Sequence, residues 1–159
     1  MSVHDWLLFL HVLSAFMLVG AQVLFTFMIG FLWRSDLPAD IARVSGISKV
    51  GTVVLGIGSI GVLVLGVILA FEADSYAIWD PWIVAAIVLW AAVAGLGSRV
   101  GKAYDAAGAR ARALVAEGRT EPSVELGTMF RSRSALGLHT AASLLIVVLL
   151  LDMIFKPGA

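Results

Sequence analysis

The sequence predicts an all-α integral membrane protein, a four-transmembrane-helix bundle with both termini outside. Three observations carry the prediction. The chain is 60% hydrophobic and 14% charged, with a mean hydropathy of +0.99, whereas a soluble domain holds ~45–50% apolar and ~25% charged residues. Four apolar runs, at about 6–33, 50–71, 82–100 and 135–155, each come near the ~20 residues needed to cross a hydrocarbon core of ~30 Å. Ten of the eleven Lys and Arg residues lie in the two connections that share one side of this layout, the pattern expected of cytoplasmic loops.

The length of 159 residues fits one domain, 1–159. A formal net charge of zero gives no footing for nucleic acid or another polyanion. The absence of cysteine excludes disulfides, thiolate metal sites and a Cys nucleophile. No phosphate loop, nucleophilic triad or paired zinc-ligand spacing is present, and whether the chain is an enzyme stays open.

The first run extends from Trp6 to Trp33. Val19-Gly20-Ala21 has the small residues of a signal-peptide cleavage site, but Met1–Asp5 holds no Lys or Arg and the apolar run continues beyond the site. A retained helix is therefore expected. Arg34, Arg43 and Lys49 follow. There Asp36 is expected to cap a helix with Pro38 in its first turn, and Leu37, Ile41 and Val44 share a face, so a short interfacial helix should precede the second span.

The second run carries Gly51, Gly56, Gly58, Gly61 and Gly66. Gly56, Gly58 and Gly61 spell GxGxxG. The dinucleotide reading needs a strand leading into a helix, and these glycines lie inside one apolar span. Close approach of a neighbouring helix is the expected role. The third run carries Gly95, Gly97 and Gly101. The Ala-rich stretch after it favours helix, so the third helix should continue past the membrane until Gly118. Pro122 and Ser123 then start a helix leading into the fourth span, making a cytoplasmic helical hairpin.

The opposite side holds Asp5, Glu72, Asp74, Asp80 and Asp152, with Lys156 its only basic residue. Trp6, Tyr76, Trp79 and Trp82 fall at that interface, and Trp33 and Tyr104 at the basic one. A multi-pass protein of the cell inner membrane follows, N-out and C-out, with its basic face against anionic lipid headgroups.

At ~100° per residue, His4, His11, Ser14, Gln22 and Thr26 share one face of the first helix. Polar groups avoid lipid, so this stripe should face the bundle interior, covered by the other three helices. At ~1.5 Å per residue, Gln22 lies ~16 Å deeper than His11. His139 enters from the other side and reaches the depth of Gln22, with Ser143 one turn on and Ser132 two turns back. His11 and His139 are therefore not expected to share one metal ion.

His11, His139, Ser14 and Gln22 are the candidate cofactor-binding residues, and His11 the candidate metal or haem ligand, since neutral imidazole suits both. The alternative is a structural imidazole hydrogen-bonded to a backbone carbonyl or a Ser on a neighbouring helix, in a metal permease or oligomeric scaffold. A proton channel would need several copies. Trp90 and the other aromatics are expected to pack and to anchor the interfaces.

Leu8-Phe9-Leu10-His11-Val12-Leu13-Ser14-Ala15, followed by Gly20, resembles the first helix of a group of four-helix bacterial membrane proteins. The group comprises copper-resistance D-type membrane domains, four-helix haem-pathway protoporphyrinogen oxidases, and a family of uncharacterised predicted integral membrane proteins. The likeness to the last covers most of the chain; that to the others covers the first helix and the topology. The resemblance to the oxidases implies haem b and gives the ligand role to His11. The Lys that those oxidases use in a later helix has no counterpart here, because Lys49 and Lys102 stand at helix ends. The five Met residues are scattered, unlike the Met- and His-rich sites of the copper proteins.

Overall fold

The structure is a computed structural model that describes residues 2–72 and 76–158. Asp74, counted above with the acidic residues, lies outside the described residues. All regular elements described are helices: α1 Val3–Leu32, α2 Pro38–Glu72, α3 Pro81–Ala116, α4 Val124–Phe130 and α5 Arg133–Phe155. Four stretches are long and apolar enough to cross a membrane: α1, α2, α3, and α4 with α5 taken together.

The helix ends follow from local chemistry. Ser2 and Asp5 form a reciprocal capping box at α1, satisfying two otherwise unpaired amides. Pro81 occupies the first turn of α3. At the other end of α3, Gly118 takes φ +73°, its N–H bonds Val115 O, and Arg119 N–H bonds Leu114 O. These paired bonds stop the helix where a left-handed residue is needed and glycine supplies it. The Ser123 and Ser132 hydroxyls accept from Leu126 N and Ala135 N and so cap α4 and α5.

The first connection departs from expectation. No separate interfacial helix forms, because α2 runs without a break from Pro38 to Glu72. Its 35 residues span ~52 Å, so its first turns project beyond the hydrocarbon. Asp36 does not cap it. Its carboxylate accepts from Arg131 Nη2 and its carbonyl from Ser123 N–H, tying the α1–α2 connection to α4. Leu37, expected to share the apolar face, is exposed, whereas Ile41 is fully buried.

The projecting end of the bundle has its own core. Ile41 of α2 and Leu32 of α1 pack with Ala107, Ala111 and Leu114 of α3 and with Leu126 and Phe130 of α4. Tyr104 stacks on Phe130 at 5.5 Å, so it does more than anchor an interface. Arg110 makes a two-pronged bond to Glu125 across the hairpin, at 2.9 and 3.0 Å.

Within the spans, α1 packs closely on α2, α2 on α3, and α3 on α5. α1 and α5 touch only sparsely, so the ring of four helices is loosely closed on one side. Long apolar side chains point outward, among them Phe16, Phe27, Val53, Ile60 and Leu144. Such a surface suits lipid rather than water.

The glycines explain the tight α1–α2 seam. A Cβ on Gly58 would lie 2.7 Å from Leu18 N and 2.9 Å from Ser14 O, and one on Gly61 would lie 2.8 Å from Ser14 Cβ. Gly56 has nothing within 4 Å. The GxGxxG string is thus a packing surface with two working positions. Trp90 also has a structural role, its indole N–H reaching Ser59 O and Oγ, both at 3.0 Å.

Candidate functional site

The polar stripe of α1 divides between two neighbours instead of facing one interior. His4 remains exposed and lies 3.3 Å from Glu72 of α2. His11 and Ser14 face α2. Gln22 and Thr26 face α5. Side chains at 100° intervals along 30 residues can share a face and still meet different helices, because packed helices cross at an angle.

His11 is half-buried against Gly66, whose absent side chain leaves the ring its space: a Cβ there would lie 3.0 Å from His11 Cε1. Its Nδ1 is buried without a hydrogen-bond partner, and the Val62 carbonyl of α2 lies beside the ring. Neither of the two cavities described below touches His11. The Ser14 hydroxyl donates to Leu10 O of its own helix at 2.8 Å and packs under Gly61.

The lower half of the stripe meets α5 in a four-residue cluster. Gln22 Nε2 donates to Ser143 Oγ at 2.8 Å and lies 3.5 Å from His139 Nδ1. His139 Nε2 is 2.9 Å from Thr26 Oγ1. Thr26 donates to Gln22 O and Ser143 to His139 O. With both hydroxyl protons committed to carbonyls, a neutral ring donates from Nε2 to Thr26 and accepts at Nδ1 from Gln22. These contacts join helices whose backbones otherwise barely meet. His139 is 6% exposed, and Ser132 caps its helix without joining the cluster.

His139 also lines two spaces. A cleft of about 570 Å³ lies between α1 and α5, bounded by Thr26, Ile29, Trp33 and Arg34 and by Leu136 and Ser143. A smaller cavity of about 120 Å³ reaches into the bundle towards α2 and α3, with Gln22, Ser48, Thr52 and Tyr104 in its wall. Thr26 and Tyr104 were not among the sequence candidates. Thr26 had a signal, its place on the stripe; Tyr104, placed by sequence at an interface, had none for a cavity wall.

Asp152, read from sequence as an end residue, is buried at 8% exposure with Oδ2 unpartnered. It stands one turn before Lys156, which bonds Tyr76 Oη at 3.0 Å and lies over the Trp82 ring. Among the described residues, no group of three or more His, Asp or Glu is placed to hold a metal ion.

Four long apolar helices, a lipid-suited exterior and a polar cluster between two spans define a polytopic helical membrane protein. Residues 5–157 match the model of the family described as "Predicted integral membrane protein (DUF2269)", and the chain belongs to that family. No curated protein and no solved structure matches it.

Proposed function

We propose that this integral membrane protein binds a flat, lipid-soluble ring with an acidic edge, of the b-type haem class, in the cleft between α1 and α5, with His139 as its contact. The observation that carries the reading is the position of His139, an imidazole in the wall of a cleft that lies between two spans. The cleft's size, about 570 Å³, falls in the ~300–1,000 Å³ range of small-molecule sites. Ile29, Leu136 and Leu144 give it apolar walls, Trp33 a ring plane, and Arg34 a guanidinium at the rim suited to a carboxylate.

The residues present fit such a group. Haem b supplies one-electron chemistry when bound. The chain's part is to present Nε2 of His139 in exchange for its Thr26 bond, and to orient the ring through Nδ1. A ligating His ordinarily donates its second N–H to an acceptor, and Gln22 offers one when its amide turns Oε1 towards Nδ1. The resemblance of the first helix to the haem-pathway oxidases supports the same chemistry but gives it to His11. The packing of His11 on Gly66, with neither cavity beside it, favours a structural role for that residue.

Detergent-purified protein, reconstituted with haem, tests the reading through oxidised and reduced visible spectra. A Soret band kept in His11→Ala and lost in His139→Ala is expected. No band in the wild type overturns the haem reading and leaves the permease, channel or scaffold alternatives. A band lost only in His11→Ala returns the ligand to α1.

We further propose that the basic end is cytoplasmic, in an inner membrane, and that exposed Arg43, Lys49, Arg99, Lys102 and Arg133 rest on anionic lipid.

A further inference from the structure

The smaller cavity reaches His139 from among α2 and α3 residues. We infer that it is an aqueous inlet, admitting water from the basic end of the bundle as far as the wall that holds His139. This does not depend on what occupies the cleft.

The placement of polar groups supports it. Along α2 the lining runs from Ser45 through Ser48 to Thr52, and along α3 from Asp105 through Tyr104 to Gly97. The longer series covers about eight helical steps, ~12 Å of helix, so the cavity extends inward from the end where Asp105 is exposed. Ser48 and Thr52 donate to carbonyls of their own helix, leaving hydroxyl lone pairs to accept from water. The Tyr104 hydroxyl is buried, lines the cavity and has no protein partner. A buried phenol left unpaired is destabilising, and water in the cavity removes that cost. A volume of about 120 Å³ holds a few molecules at ~30 Å³ each. Phe25, Met28 and Phe130 narrow the passage without filling it.

The chain has no cysteine, so single cysteines report water directly. In proteoliposomes, Ser48→Cys, Thr52→Cys and Gly97→Cys are treated with a membrane-impermeant methanethiosulfonate applied to either face. Gly97 has nothing within 4 Å of an added Cβ, and Ser→Cys keeps the shape, so folding is retained. Each should react from the face that modifies Arg119→Cys, and roughly tenfold or more faster than lipid-facing Val53→Cys, because the reactive thiolate forms only in water. Rates equal to Val53→Cys at all three sites, or reaction from the other face, overturn the inlet. No ligand takes part, so this result is separable from the haem spectra.

Discussion

Replacing the three glycines of the GxGxxG string one at a time tests how α1 and α2 are held together. In Gly58→Ala the new methyl meets backbone, 2.7 Å from Leu18 N and 2.9 Å from Ser14 O. Backbone cannot turn aside as a flexible side chain can, so the helices must separate. Overpacking of this kind costs ~1–3 kcal/mol. Alanine returns ~0.8–1 kcal/mol of helix propensity. That gain is common to every Gly→Ala change within α2, so it cancels when two sites are compared. Gly56→Ala, with nothing within 4 Å, shows the gain alone and should be neutral or stabilising. The difference between Gly58→Ala and Gly56→Ala isolates the seam and should be ~1–3 kcal/mol. Gly61→Ala, pressing on the Ser14 side chain, should fall between them. Reversible unfolding in mixed micelles with increasing SDS, followed by tryptophan fluorescence and far-UV circular dichroism, measures all three. Equal stability for Gly56→Ala and Gly58→Ala would refute the packing account.

Two further perturbations address the polar contacts. Gln22→Leu removes the bonds to Ser143 and His139 and should cost ~1–2 kcal/mol, since interhelical hydrogen bonds within membranes average ~0.6 and reach ~1.7 kcal/mol; the SDS titration checks it, and Ser143→Ala should lose about half as much. At the basic end, the bond from Arg110 holds the Glu125 carboxyl below the usual carboxylate range. A depressed folded value means that its contribution is present above the unfolded pKa and is lost as pH falls through the folded one. Amide exchange in α4 should therefore speed up in acid, beyond the intrinsic pH dependence of exchange, and Arg110→Gln should abolish that excess; an unchanged excess in the variant would count against the ion pair.

Much of the fold was legible because it is local. A run such as 50–71 declares a span by length and apolarity, Gly118 stops α3 because the terminating residue must be left-handed, and Ser123 caps through a bond to the amide three residues on. The helix face shared by His11, Ser14, Gln22 and Thr26 follows from 3.6-residue geometry. Their partners did not follow. Asp36 was open to capping until Arg131, distant in sequence, took its carboxylate. The interfacial helix merged into α2 because Ile41 found a core in Phe130 and Leu114.

The candidate site shows the same division. Sequence by itself determined that His139 and Gln22 reach similar depths and that His11 stands apart, because depth is a count of residues times a fixed rise. Only the tertiary structure decided that α1 meets α2 at His11 and α5 at Gln22, that the bundle closes loosely between α1 and α5, and that Tyr104 lines a cavity. The physical reason lies in the solvent. Lipid tails are as apolar as leucine, so hydrophobicity puts a helix in the membrane without choosing its neighbour. That choice comes from close approach at Gly58, Gly61 and Gly66 and from paired polar groups at Gln22 and His139. Both depend on shapes that two helices make together.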